Sequence, residues 1–355
     1  MLLGLTSLTG CWNQRAIDQR AIVMAMGISA HHQWTFLFPN VSVTASSLSS
    51  LGQSAQFYSI TVKARSFQTA MHRVQLQASR EVSIGDLQLV DLSADLSRRQ
   101  LSRIMDAMIL TGRVPAQAWF AASQTAPATL LMHHSPQTVV PVYYLSSYFD
   151  CHECHAAEFG IRAWQWWDRA MTPGVSPILP MLTKTQEGAQ VRQLLVYPPH
   201  GKPVVMPRSV TQAFAYLTGK VKNGTQKVLV GGETYEVSRI FDHTTSRVRL
   251  TPTAVDVRAV LHAKGEMADT PPGLLVTRAT ERAVDRATEQ KMVQLSRRAI
   301  RWANQTHTDP FGYAKRAAWL DNPTAASIPS QLLVTLPIKA VITARVKVQG
   351  EGLAR

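Results

Sequence analysis

The chain has no uninterrupted apolar run of about 18 residues, so its sequence offers no helix able to span a bilayer. It contains no G-x-S-x-G elbow, no H-E-x-x-H pair and no G-x-x-x-x-G-K-[ST] loop, which removes the usual signatures of serine hydrolases, zinc peptidases and P-loop NTPases. Gly219 and Gly224 flank Lys220, Lys222 and Asn223 without the Gly-Lys-Ser/Thr ending, so that stretch reads as a hairpin turn. Asp242-His243 has no nucleophile pattern near it, and Asp91 and Asp95 are expected to cap a helix starting near Ser97. Helix-turn-helix, zinc-finger and RNP-type patterns are also missing, so no nucleic-acid partner is expected. Acidic residues are few: 23 Asp and Glu against 37 Lys and Arg give a net charge of +14. Such a surplus favours an anionic partner.

What is present begins at Leu8-Thr9-Gly10-Cys11, a short apolar run ending in small residues and a cysteine. This is the pattern of a bacterial lipoprotein cleavage site, and it predicts that residues 1–11 are a truncated signal and lipobox. Cys11 is the predicted lipid-attachment residue, carrying acyl chains such as palmitate, and the body behind it is expected outside the cytoplasm. The basic residues that a signal needs are missing from Met1 to Gly10 and are expected upstream of Met1. Trp12 directly follows the lipidated position and is expected at the membrane interface. The nearest polyanion for a basic, lipid-tethered body is an anionic membrane surface, where basic residues add to acyl binding.

At 355 residues the chain is too long for one compact core, and 45% hydrophobic with 17% charged residues is a globular balance. Periodicity predicts an α+β (mixed α/β) fold of three consecutive domains, each a β-sheet with packed helices. The first, 12–172, alternates strands at Ala21–Ile28, Trp34–Val43 and Val82–Leu92 with helices at Phe67–Ala78 and after the Ser97/Gln100 capping box, the latter closed by Gly112. Pro173, Pro177 and Pro180 mark a boundary. The middle domain, 173–268, reads as mostly β, with strands at Leu194–Tyr197, Lys227–Val230, Ser246–Leu250 and Val255–Leu261 and a helix at Ser209–Leu217. Pro271-Pro272-Gly273 closes it. The last domain, 269–355, holds a long helix with Val284, Thr288, Met292, Leu295, Ala299 and Trp302 on one stripe, then a strand from Leu336 that alternates apolar and polar residues. Pro337 confines the first part of that strand to an edge or makes it the strand's beginning.

Cys151-His152-Glu153-Cys154-His155 carries the one motif with specific chemistry. It satisfies C-x-x-C-H, the haem-attachment pattern, in which two thiols add to the haem vinyls and the histidine is the proximal ligand. Zinc is the other option, with Cys151 and Cys154 joined by two of His133, His134, His152 and His155, although a second Cys/His pair at zinc spacing is absent. The leading reading is an exposed loop in which the two cysteines form a short disulfide or stay as thiols, because lipidated Cys11 leaves one even pair of the three cysteines. No cofactor is therefore expected. Trp164, Trp166 and Trp167 are read as core in preference to an interfacial belt.

The order of these pieces resembles the Ger(x)C family, the C-subunit lipoproteins of bacterial spore germinant receptors. Leu8-Thr9-Gly10-Cys11-Trp12-Asn13 is similar to that family's Gly-Cys-Trp-Asp start, and Ser79-Arg80 with Ile84-Gly85-Asp86-Leu87-Gln88-Leu89-Val90 to its strand before a helix, here Leu96 to Leu110. Pro177-Ile178-Leu179-Pro180, the stretch Lys202 to Leu217, and Asp309-Pro310-Phe311-Gly312-Tyr313 followed by Trp319 and a long terminal strand continue the match over some 340 residues. Asn13 replaces the usual Asp, and Arg15-Ala16-Ile17 stands where an acidic residue often follows. The resemblance implies attachment to the outer face of the spore inner membrane and partnership with A- and B-type receptor subunits, one polytopic and one bearing a cytoplasmic domain. It also implies a structural or signalling role in nutrient-triggered germination, without enzymatic chemistry. An extracytoplasmic haem- or metal-binding lipoprotein centred on Cys151–His155 is the alternative.

Overall fold

The computed structural model describes residues 19–40, 57–112, 114–133, 138, 141–186, 188–269 and 276–350. The chain opens with β1 (Arg20–Ile22), β2 (Ala25–Ile28), β3 (Gln33–Pro39), β4 (Phe57–Lys63), α1 (Phe67–Gln75), β5 (Glu81–Ser83), β6 (Leu89–Ser93), α2 (Arg98–Leu110) and β7 (Trp119–Ser123). Next come α3 (Pro127–Leu131), α4 (Pro141–Asp150), β8 (Ile161–Arg162), α5 (Ala163–Met171), β9 (Ile178–Thr185), β10 (Gly188–Val196), β11 (Val204–Met206) and α6 (Arg208–Thr218). The last part holds β12 (Gly224–Val230), β13 (Glu233–Thr251), β14 (Ala254–Asp269), α7 (Arg278–Gln305), α8 (Tyr313–Leu320), α9 (Asn322–Ala326), α10 (Ser330–Leu333) and β15 (Ile338–Gly350). No helix among the described residues is long and apolar enough to cross a membrane.

The architecture is mixed α/β, as the periodicity predicts, but its sheets cross the expected boundaries. The first sheet has the order β11-β10-β9-β7-β6-β2-β3-β4, with β8 also paired to β7. Its centre is parallel: β2 with β6, β6 with β7 and β7 with β9. Parallel strands are covered on both faces and so read as unbroken apolar runs, as in β2 and β7, where every residue is buried. Val90, Leu92 and Phe120 face the core that holds α1, α2 and α5, while Leu89, Trp119 and Ala121 face α3 and α4. Because β9 pairs with β7, this sheet runs through the expected break at 172/173 and continues to Met206. The prolines there punctuate a crossover within one sheet.

The second sheet has the order β12-β13-β14-β15 and crosses the 268/269 boundary in the same way. α7 returns the chain so that β15 lies parallel to β14 at the sheet edge, where Pro337 can precede it without breaking a ladder. The predicted stripe of α7 is buried from Val284 to Ala299, with Trp302 partly buried. α7 also closes the free edge of β15. Glu289 accepts from the Val346 N–H at 3.0 Å, Asp285 from Val348 at 2.7 Å and Glu281 from Gly350 at 3.0 Å. Four residues of helix rise about 6 Å and two residues of strand about 6.6 Å, so the two spacings stay in step.

Two expected strands are each divided. Ala21–Ile28 becomes β1, bonded to β5, and β2, bonded to β3 and β6. Val82–Leu92 becomes β5 and β6, separated by a turn in which Leu87 N–H donates to the Ile84 carbonyl at 3.2 Å. Between residue 131 and the prolines, where the periodicity marks no element, lie α4 and α5. The Ser97/Gln100 capping box forms as read, with Gln100 N–H donating to Ser97 Oγ at 3.3 Å and Ser97 N–H to Gln100 Oε1 at 3.0 Å.

Candidate functional site

Cys11, Trp12 and His134 lie outside the described residues. Two of the motifs, Cys151–His155 and Asp309–Tyr313, form junctions that tie the first sheet to the second.

The Cys151–His155 loop follows α4, and Cys151 and Cys154 form a disulfide with 5.6 Å between their Cα atoms. An oxidised pair presents no thiolate to a metal or a haem vinyl. His152 Nδ1 lies 3.3 Å from Glu158 Oε1. The His155 ring stacks on Tyr148 at 3.8 Å, and its Nε2 sits 3.1 Å from the Tyr148 carbonyl. Burial lowers the His155 pKa. His133 is elsewhere, with Nε2 at 3.0 Å from the Thr185 carbonyl at the end of β9. Among the described residues no group of three or more His, Cys, Asp or Glu is placed to hold a metal ion.

What the loop does instead is dock. Ala157 bridges Val221, Glu158 N–H donates to the Lys220 carbonyl at 3.0 Å, and Lys222 N–H donates to the Ala156 carbonyl at 3.3 Å. Residues 220–222 join α6 to β12, so the loop fastens α4 of the first sheet to the approach to the second. Gly219 ends α6 in the left-handed conformation rather than forming a hairpin turn. Asp242 of β13 holds the other side of the same segment, accepting from Val221 N–H at 2.8 Å. Burial lifts the Asp242 pKa to about 7 and depresses that of Lys220 to about 8.

The second junction is built on Asp309-Pro310-Phe311-Gly312-Tyr313. Asp309 is buried; its Oδ1 accepts from Phe311 N–H at 3.0 Å and Gly312 N–H at 2.9 Å, and its Oδ2 from Ala314 N–H at 2.7 Å. The turn thereby starts α8, with Gly312 at φ 74°. Arg169 of α5 reaches across from the first sheet, donating to the Ser176 carbonyl at 2.8 Å and the Pro310 carbonyl at 2.6 Å. Ser176 and Asp309 exchange a further pair of bonds, Ser176 N–H to the Asp309 carbonyl at 2.8 Å and Asp309 N–H to Ser176 Oγ at 3.1 Å. Gly174, at φ 77°, accepts from Lys315 N–H at 2.9 Å, and a Cβ there would meet that nitrogen at 2.7 Å. Burial raises the Asp309 pKa to about 6 against the pull of its three N–H donors and Arg169, and burial lowers the Arg169 pKa to about 10. Arg169 and Ser176 had no sequence signal, because they act from 141 and 133 residues away.

The tryptophans divide by helical phase. Trp166 is fully buried, while Trp164 and Trp167, three apart on α5, are 47% and 37% exposed. Trp167 Nε1 donates to Asp106 of α2 at 3.3 Å. Asp91 does not cap α2: it is buried within β6, where Ser123 Oγ donates to Oδ2 at 2.9 Å and Oδ1 has no partner. Burial lifts its pKa to about 8.

Residues 13–184 match the family described as the spore germination protein N-terminal domain. That match ends inside β9 and so covers most of the first sheet. Among solved structures the chain is similar to the crystal structure of the GerBC protein, with a TM-score of 0.58 at 12% identity over 92% of this chain and 96% of that one. At this identity the likeness speaks for the fold. No curated protein matches the chain.

Proposed function

We propose that this chain, whose residues 13–184 match the spore germination protein N-terminal domain, is a Ger(x)C protein, the lipid-tethered C subunit of a nutrient germinant receptor, working without chemistry of its own. Receptor-subunit function is the family's role. The finer reading places the body on the outer face of the spore inner membrane, held by an acyl group on Cys11 with Trp12 at the interface, beside A- and B-type membrane subunits. The observation that carries it is a lipobox two residues before a stretch matching the spore germination domain.

The interior supports a scaffold role. Asp309, Arg169 and Asp242, three ionisable groups that burial perturbs at the junctions, are each spent on backbone hydrogen bonds. The Arg169–Pro310 and Ser176–Asp309 bonds hold one sheet against the other, so a force received by one is passed to the other rather than absorbed between them.

Mass spectrometry of the native protein from spore membranes tests the reading. A mature chain starting at an acylated Cys11 is expected, and Cys11→Ala should release the protein from the membrane fraction and slow germination. An intact amino terminus with a free thiol overturns it.

A further inference from the structure

The outward face of the second sheet is a run of like charges. β13, β14 and β15 are in continuous register from Phe241 to Leu250, so side chains line up in rows across three strands. One row is Phe241–Lys264–Lys347, the next His243–His262–Arg345, and two rows further on Arg247 stands opposite Arg258 beside Val341. Like charges directly opposite one another on a sheet are destabilising. An acid separates cations in one row alone, where Asp256 lies between Arg249 and Lys339; Glu266, further along, is paired with Arg239 at 3.0 Å. Between the first two rows lies a hollow of about 400 Å³, floored by the backbone at Asp242, Ala263 and Val346 and rimmed by Lys264, Arg345 and Lys347. Phe241 and Val341, 44% and 65% exposed, stand among these charges on the same face.

We propose that this face docks on the headgroups of an anionic bilayer, a lipid phosphate entering the hollow and Phe241 settling at the headgroup level. The inference rests on the reading that the chain works at a membrane surface, and it names the part of the body that lies against that surface. Charge complementarity selects the anion: its phosphates relieve the repulsion between Lys264 and Lys347 and between Arg247 and Arg258. The exposed apolar side chains select a bilayer over a free anion, because an aromatic ring flanked by cations is suited to the interface. Each basic residue near an anionic surface is worth roughly fivefold in binding.

The test uses the full-length chain carrying Cys11→Ala, so that no acyl group contributes, and sedimentation with vesicles of phosphatidylcholine alone or mixed with phosphatidylglycerol. Binding is expected to the mixed vesicles only. Lys264→Gln/Arg345→Gln/Lys347→Gln should weaken it on the order of a hundredfold, with a melting temperature unchanged or raised. Lys291→Gln/Arg297→Gln/Arg301→Gln, which removes as much charge from α7, should leave most of the binding. Excess inorganic phosphate should not displace the protein. Equal loss from both triple variants, displacement by free phosphate, or preference for duplex DNA over the mixed vesicles would each overturn the proposal. Any of these leaves the acyl attachment at Cys11, tested separately, untouched.

Discussion

Replacing Asp309 by alanine should unlock the junction between the two sheets. The carboxylate accepts three backbone N–H bonds, at 3.0, 2.9 and 2.7 Å, and its charge favours the charged form of the half-buried Arg169. A hydrogen bond to a charged group is worth about 1.5–3 kcal/mol net, and leaving a buried donor unsatisfied costs about 1–3 kcal/mol. These overlap, and Arg169 keeps the Ser176 and Pro310 carbonyls, so the expected loss is about 4 kcal/mol. That is a large part of the 5–15 kcal/mol that usually holds a domain together. Asp309→Asn keeps the Oδ1 acceptor and loses the bond to Ala314, so it should cost about half as much. The assay is urea unfolding at neutral pH, followed by far-ultraviolet circular dichroism and tryptophan fluorescence. Trp34, Trp119, Trp164, Trp166 and Trp167 lie on the first sheet and its helices against Trp302 and Trp319 beside the second, so the weakened variant should show a fluorescence transition weighted to the first sheet parting from the dichroism transition. A loss below about 1 kcal/mol with coincident transitions would refute the idea that Asp309 locks the junction.

Asp91→Asn should change the pH dependence of stability. Its folded pKa, about 8, lies above the usual 3.8, so the folded state holds this proton more tightly; the resulting stability is complete below pH 4 and is lost as pH rises toward 8. The slope is about 1.4 kcal/mol per pH unit. Unfolding free energies from pH 5 to 7.5 should therefore fall less steeply in the variant, and parallel curves would count against a protonated Asp91. Gly174→Ala should destabilise by about 3 kcal/mol or more, because its φ of 77° and a Cβ 2.7 Å from Lys315 N admit no side chain; thermal melting measures it, and a neutral result would mean the loop relaxes. Cys151→Ser/Cys154→Ser should cost at most about 2 kcal/mol, since the disulfide closes a loop of only a few residues. A larger loss in a denaturant titration would show that the loop clamps residues 220–222 through the disulfide itself.

Local chemistry made much of this fold legible. The Ser97/Gln100 box, the α7 stripe and the alternation of β15 are short-range patterns, and each forms where it is read. The spacing of Trp164, Trp166 and Trp167 also held its answer, because on a helix the first and third share a face that the second does not. Illegible features depend on distant partners. Pro173, Pro177 and Pro180 look the same in a linker as in a crossover, and only the pairing of β9 with β7 decides between them. α4 was hidden by its composition, since Val142, Tyr143, Tyr144 and Tyr148 favour strands. Asp91 reads as a cap because acidic residues are seldom buried, and its place in β6 is set by the sheet around it. The cationic rows required the register of three strands, two of which pair residues 83 apart in the chain, across α7.

The central claim is that this chain is one subunit of a membrane receptor. Affinity purification of the tagged full-length protein from detergent-solubilised spore membranes tests it most directly. The account predicts recovery of two further membrane subunits in fixed proportion to this one. Recovery of the chain alone, under conditions that keep the other two together, would contradict it.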